Sequence, residues 1–561
     1  MLLANWTSAN PDCCKWAGVS CDNSTSHVTE LHLTSSKLGG ELNPALLDLK
    51  SLSVLDLSNN TFDGTQIPGW FWNLTSHLQY LNISWNHFRG NVPDLLTNHA
   101  ALVLDLSSNN FTGSLPAVSL NMTALDLSDN GFSGSMSWFL CRKPMKLEVL
   151  SLGGNLLSGE IPDCWEKWGS LVAIELCHNN FSGKIPPSMG ALTSLQSLHL
   201  SNNNLHGEVP ESMSNCTELL TLDLSANRFS GEIPLWIGER LSNLIIIGLR
   251  WNMFHGEIPD QICGLPSLQI LDLSHNNLSG EIPTCIKNLT AMITRNKSNR
   301  TISYKTSKGC FFDNIELTMK GAVFDYSTTL KLIKLVDLSD NNLTGQIPEE
   351  ITTLIDLLSL NLSRNDLVGK IPGNIGAMNT LECVDLSENR LSGEIPESMS
   401  RLTFLSYLNL SYNNLSGKIP LGTQLQSFSP SSFMRNKLYG PPLTNNSKAV
   451  VPTSNSVGED TFIYPKLQFD ISGIPVVVTI TKVGRHYIVD ATSEEESQMS
   501  SAVSIFVNQK GRICCNTKRG GAGLDPSIIL DMITVAKHVS EQLINKLDSE
   551  IAAADASEEE S

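Results

Sequence analysis

Apolar positions return in one short rhythm along most of the chain. Residues 408–420 read LNLSYNNLSGKIP, with apolar residues at 408, 410, 415 and 419, polar residues between them, and Asn413, Gly417 and Pro420 at fixed offsets. Variants recur with their Asn at 60, 86, 109, 130, 155, 179, 203, 227, 252, 276, 341, 365, 389 and 413, and a weaker first copy has Ser36 at that place. The steps cluster at 24 residues, apart from one gap between 276 and 341. A fixed period in that range marks stacked units that share one core.

Each unit predicts a short strand at its start. Alternation in Leu408, Asn409 and Leu410 points two leucines inward and the Asn between them outward. Asn413 then leaves the strand, and a buried amide there is expected to bond backbone groups of the next coil. Leu415 returns to the core, Gly417 permits a turn that a Cβ would hinder, and Pro420 favours an extended path on the convex side. Strands at about 4.8 Å each predict a curved sheet roughly 70 Å long. The fold class expected is an α/β solenoid, a horseshoe of about 15 leucine-rich repeats.

Composition narrows the function classes. The net charge is −18 with 17% charged residues, which argues against a nucleic-acid surface over most of the chain. Thirteen cysteines lie mostly at scattered spacings, without C-x-x-C or a zinc pattern, so neither metal nor cofactor is expected. No apolar run approaches the roughly 18–20 residues of a membrane span. The opening MLLANWTSANPDCC lacks a basic region and a long apolar core, so no signal peptide is visible. Yet eighteen N-x-S/T sequons occur, all before residue 450. Those at Asn110, Asn180, Asn277, Asn342 and Asn414 are by-products of the repeat. Others are not, and Asn5, Asn23, Asn73, Asn215, Asn288 and Asn299 are the glycosylation sites expected from a secretory origin.

The L-x-G-x-I-P form of residues 157–162 and 278–283 is similar to the plant variant of the leucine-rich repeat. NWTSANPDCCKWAGVSC at 5–21 resembles the N-terminal cap of plant extracellular leucine-rich-repeat proteins. That resemblance implies a Cys14–Cys21 disulfide. It leaves Cys13 without the upstream partner the family supplies, which points to a truncated N-terminus. Cys141 with Cys164, and Cys263 with Cys285, sit one coil apart on the same flank. Inter-coil disulfides and small buried thiols are both open for them, and Cys310 could compete for Cys285. Cys216 reads as a packing residue.

Residues 284–330 break the period four repeats before its end, and resemble the island of plant receptor-like proteins, receptors without a kinase. Residues 421–447 resemble the family's C-terminal cap, with Tyr439 where the family has Cys, so the array is expected to fray there. The resemblance implies recognition of an extracellular peptide, protein or glycan in defence or development. It also implies that the last repeats and the island meet a leucine-rich-repeat co-receptor or adaptor kinase, through Glu388, Tyr407 and Tyr412. The plasma membrane or the extracellular space is the place it implies.

The concave face is the expected ligand surface. An acidic file runs along it at Asp56, Asp105, Asp126, Glu175, Asp223, Asp272, Asp337 and Asp385, readable as carboxylates of the repeat that are solvated or bond neighbouring strands. Departures from the repeat say more. Tyr80, Trp85, His178, His199, Arg250, Trp251, His275 and Arg364 are the candidate anchors, because exposed aromatics and Arg on a polar sheet resemble interface hot spots.

After residue 447 repeats and sequons stop. Residues 448–461 read as linker. Strands at 473–483 and 486–490, a hairpin of 503–507 with 512–517, and an amphipathic helix from Asp525 to about 551 follow, then an acidic tail at 552–561. VTITKVGRHYIVDATSEEESQMSSAVSIFVNQKGRI with KRGGAGLDPSIILDMITVAKHV resembles the last third of a non-catalytic RNase PH-like ring subunit of the RNA exosome. The phosphorolytic residues of that family lie upstream and are missing. Arg485, Lys518 and Arg519 are the candidate contacts to RNA or to a neighbouring ring subunit.

The domain order expected is therefore a cap at 1–27, repeats at 28–283 and 331–420 around the island at 284–330, a degenerate cap at 421–447, and a partial RNase PH-like module at 462–551. No catalytic motif is present, so an enzyme is not expected. One half reads as secreted and the other as nuclear and cytosolic, which suggests two coding regions joined.

Overall fold

The computed structural model describes residue 6 and residues 12–443, except 63–65, 75–77, 95–102, 142–145, 294–301, 307–308, 313, 321 and 327–328. Beyond these it describes 476–483, 486–489, 502–507 and 513–519. Two compact units divide at Val450 and Val451.

In the first unit the apolar rhythm becomes a 16-stranded sheet. Val19–Cys21 caps it antiparallel to Val28–His32, and every later strand runs parallel to its neighbour, ending at Tyr407–Asn409. After Val28–His32, strands of three residues suffice because each coil repeats the same register, as in Leu222 opposite Leu198 and Ile247. A second, nine-stranded sheet lies at the coil exits, from Arg89–Asn91 to Asn277–Ser279. Phe62, Phe88, Phe111 and Phe132 stack between successive coils at 5.6, 6.5 and 6.4 Å.

The ladder Asn bonds the preceding coil, not the next one. Asn227 Nδ2 donates to Leu200 O at 2.9 Å, and to Leu224 O and Ser225 O of its own coil, while its Oδ1 accepts Leu205 N–H at 3.0 Å. Four backbone groups of a bend without secondary-structure partners are thus satisfied by one amide.

The convex side is not simply extended. After the I-P step the proline itself is extended, as Pro210 is (φ −68°, ψ 140°), but it caps a 3-10 helix, here Glu211–Asn215. These helices pack closely: a Cβ on Gly190, in the 3-10 helix Pro187–Ala191, would stand 2.3 Å from Ser212 O of the next one. Gly417 has φ +88°, which an L side chain resists.

The array does not fray where the cap was expected to fail. Asn436 makes one more rung, accepting Leu415 N–H at 2.9 Å and donating to Leu410 O at 2.8 Å, and Phe433 is buried beneath it.

The island is two hairpins, Ser303–Thr306 with Gly309–Phe312 and Ile315–Met319 with Ala322–Tyr326. Ile315, Leu317 and Met319 alternate inward and cluster with Tyr304 on Ile246, Ile270 and Leu335, which are concave-face residues of the sheet. The island therefore covers part of the surface it interrupts.

In the second unit Val476–Val483 pairs antiparallel with both His486–Val489 and Ala502–Val507, and the latter with Ile513–Arg519. The expected helix lies outside the described residues, as do Arg485, Asn5 and Asn299. Lys518 and Arg519 close the last strand.

Candidate functional site

The sequence places three kinds of position on each coil's inner side. Strand residues face the concave surface. A serine follows the strand and turns its hydroxyl back on the strand carboxylate, as Ser128 Oγ does to Asp126 Oδ1 at 2.6 Å. The next residue is left-handed: Trp85, His178, Trp251, His275, Arg364, Glu388 and Tyr412 all have φ between 52° and 56°. These side chains leave at the rim of the sheet, one step beyond the strand.

The island covers part of that surface. A cavity of about 650 Å³ lies between the sheet and the island residues Tyr304, Asn314, Ile315 and Glu316. Carboxylates of Asp126, Asp129, Glu175, Asp223 and Glu316 line it, with His178, His199 and, at its mouth, Trp85, which is 65% exposed. No Lys or Arg is among its described lining residues.

Crowding leaves a mark on these acids. Burial, then the charge of Asp105, pushes the Asp126 carboxyl up to about 7. Asp105 is raised as well, chiefly by burial. Burial would also raise Asp223, but His199, 3.7 Å away, overcomes it and the carboxyl ends below its usual range. Glu175 accepts from Ser151 Oγ at 2.5 Å. His178 Nε2 stands 3.4 Å from Glu316 Oε1, so a rim residue meets the island at the cavity edge.

Of the sequence candidates, Trp85, His178 and His199 come together here. Arg250 is not an open anchor: it is 7% exposed, and its Nη1 donates to Thr318 Oγ1 of the island at 2.5 Å. His199 is also buried, at 5% exposure. Tyr80 is half-buried on its strand, outside the cavity, with its hydroxyl accepting from Asn82. Trp251 and His275 stack at 3.9 Å on the rim, and His275 Nδ1 faces Asp340 Oδ2 at 2.5 Å. Arg364 Nε pairs with Glu388 Oε1 at 3.3 Å, so a candidate ligand residue is engaged by a candidate co-receptor residue. Tyr407 donates to Asp385 Oδ2 at 3.1 Å, and burial with that carboxylate pushes its hydroxyl up to about 12. Tyr412 is 52% exposed.

Three carboxylates of the file, Asp126, Glu175 and Asp223, stand in the cavity wall, and members of the file also bond neighbouring strands, as Glu175 does with Ser151 and Asp337 with Asn361. Part of a signal for the island's seat existed: the concave position that is Val149, Ala173, Ser197 and Thr221 in earlier strands becomes Ile246, Ile270 and Leu335, a run of larger apolar side chains. Disulfides join Cys14 to Cys21, Cys141 to Cys164 and Cys263 to Cys285. Cys216 is fully buried. Asn23, Asn73, Asn215 and Asn288 are exposed.

Leucine-rich-repeat families match residues 51–74, 77–99, 146–168, 169–229, 267–289, 333–354, 356–378, 380–402 and 404–433, and the leucine-rich-repeat N-terminal domain matches 2–22. The 3′ exoribonuclease family, domain 2, matches 473–539. The receptor-like protein EIX2 of Solanum lycopersicum is 43% identical over 329 residues, 57% of this chain and 32% of its own length. The exosome complex exonuclease RRP42 of Dictyostelium discoideum is 38% identical over 82 residues, 15% of this chain and 25% of its own. Among solved structures, a TDR receptor is 25% identical, with a TM-score of 0.55 over 71% of this chain and 67% of that one. The plant peptide hormone receptor RGFR1 in complex with RGF2 is 26% identical, with a TM-score of 0.51 over 76% of this chain and 72% of that one. The chain spans about a third of the length of EIX2. The matched segments between residues 2 and 433 are leucine-rich-repeat sequence similar to that of plant receptor-like proteins, and residues 473–539 match the 3′ exoribonuclease family, domain 2.

Proposed function

We propose that the repeat unit is the ligand-binding ectodomain of a receptor-like protein without a kinase. It works outside the cell or at the plasma membrane and performs no catalysis. The observation that carries this reading is the acid-lined cavity between the concave sheet and the island, with Trp85 at its mouth. Carboxylates with no Lys or Arg among the described lining residues, beside an exposed indole, favour a peptide or protein that presents guanidinium or ammonium groups, which gain both ion pairing and cation–π contact. The likeness to RGFR1, a peptide hormone receptor solved with RGF2, supports a peptide. Glu388, Tyr407 and Tyr412, on the last coils, are the surface for a leucine-rich-repeat co-receptor or adaptor kinase.

The test uses an arginine-rich peptide as probe, with titration calorimetry at two salt concentrations. Binding that weakens at least tenfold in Asp126→Asn with Glu175→Gln supports the reading. Equal binding by that variant and the wild type overturns it.

The match at 473–539 favours a second reading for the C-terminal unit, a non-catalytic exosome ring segment that meets RNA or ring subunits through Arg485, Lys518 and Arg519. The two readings require different compartments, and a join of two coding regions reconciles them. A single transcript across the codons for 440–470 supports one protein; separate transcripts sink it.

A further inference from the structure

The repeat places five sequons at one point of the coil. Asn110, Asn180, Asn277, Asn342 and Asn414 each follow a ladder Asn directly, and all five are exposed. Their backbone N–H groups are fixed in the same way, Asn110 on Phe88 O, Asn342 on Leu278 O and Asn414 on Leu391 O, at 2.7–2.8 Å. Parallel stacking turns one position per coil into a line along one flank, at about 4.8 Å per coil. Three other sequons lie on concave strands instead, at Asn82, Asn361 and Asn409, and all three are half-buried. There the amide is in use. Asn361 Nδ2 donates to Asp337 Oδ2 at 3.0 Å and Ser339 Oγ at 3.1 Å, and its Oδ1 accepts Ser363 N–H and Oγ–H. Asn409 Nδ2 donates to Asp385 Oδ2 at 3.3 Å, and Asn82 Nδ2 to Tyr80 Oη at 3.3 Å.

We infer that Asn110, Asn180, Asn277, Asn342 and Asn414 carry N-linked glycans as a single file along one flank, while Asn82, Asn361 and Asn409 stay bare in the folded chain. The inference rests on the ectodomain reading, because the modification belongs to the secretory pathway. In it Nδ2 bonds the anomeric carbon of an oligosaccharide held on a lipid pyrophosphate. The anomeric C–O bond breaks, the amide gives up one proton, and the lipid pyrophosphate leaves. On the flank Asn180 and Asn277 accept through Oδ1, from Asn204 at 2.7 Å and from Asn342, and Asn342 gives one Nδ2 proton to that bond between two exposed side chains, so what sets the flank apart from the strand is exposure. On the strand a glycan at Asn361 would remove one of two donated bonds and stand a sugar chain on a packed sheet. The file leaves the concave cavity open and closes the flank to a protein partner. The ligand and any co-receptor must then approach from the concave or opposite side.

Two single substitutions in one coil separate the positions. R390N creates a sequon on the flank, where the Arg390 side chain is 70% exposed; D385N creates one on the strand. The full chain is secreted from plant cells behind an added leader, and glycopeptides are released by amidase in heavy-oxygen water and read by mass spectrometry. Expected are label at the five flank residues, none at the three strand residues, a gained glycan in R390N and none in D385N. Label on Asn82, Asn361, Asn409 or residue 385 of the folded protein overturns the inference, as does a bare flank beside labelled Asn23 and Asn73. A secreted chain bare at every sequon overturns the ectodomain reading with it.

Discussion

The hydroxyl of Tyr304 stands 3.1 Å from Thr221 Oγ1, 83 residues earlier in the chain. That bond ties the island to a concave strand, and Leu317, 1% exposed, fills the space beside it. Leu317→Ala should weaken the docking by about 2–4 kcal/mol and Tyr304→Phe by about 1 kcal/mol. Amide hydrogen exchange over 302–326 should then rise while the strands around 198–223 stay protected. Unchanged exchange in Leu317→Ala would show that something other than this apolar seam holds the island.

Asn365 is 7% exposed and serves four backbone groups: Leu338 O, Leu362 O, Ser363 O and Leu343 N–H. Asn365→Ala leaves them unpaired and should lower stability by about 2–4 kcal/mol. Circular dichroism against urea reads the lowered midpoint. Asn59→Asp, at an exposed rim position whose φ of 51° an Asp side chain tolerates, should leave it nearly unmoved.

Acid should stabilise the repeat unit. Burial, then the charge of Asp272, pushes Asp337 up to about 7, and burial pushes Asp126 to the same value. Both groups hold a proton in the folded chain at a pH where the unfolded chain has lost it. Stability is therefore highest below the unfolded value, near 4, and falls as pH rises through 7, by about 1.4 kcal/mol per group per pH unit within that window. Melting temperature should be higher at pH 5.5 than at 7.5, with the difference reduced in Asp337→Asn. An opposite or flat trend in the wild type would contradict this electrostatic picture.

Oxidised protein digested without reductant should yield linked peptides for Cys141–Cys164 and Cys263–Cys285. Replacing Cys263 and Cys285 together by Ser opens a loop of about 20 residues and should cost about 3 kcal/mol in the chain-entropy account. Cys216 is buried, which pushes its thiol up to about 11. It should resist alkylation until denaturant is added.

Much of the coil was legible because its determinants are local. The offsets from Leu408 to Gly417 carry the strand, the Asn rung and the turn without reference to distant residues. The sixteenth rung was missed because Ser431 and Ser432 replace the leucine-bearing strand, although 433–440, FMRNKLYG, keeps the later offsets. The site was less legible because it is made by two segments that no period relates. Arg250 stands where Ser is usual and looks like an outward anchor until Thr318, 68 residues later, is seen to cover it. Tyr304 and Glu316 carry no repeat phase at all, so their place over the carboxylate file follows from packing on Ile246, Ile270 and Leu335.

The left-handed rim residues have a wider consequence. From Asn59 to Arg435 this column holds Trp, Ser, Asp, Gly, His, Asn, Ala, Arg, Glu and Tyr, but never Val, Ile or Thr, the residues for which a positive φ is hardest. Size and charge are free to vary there because the side chain departs from the coil instead of packing within it. Each coil thus carries one letter that can be rewritten without editing its grammar. A recognition surface of this kind can change its meaning a single residue at a time.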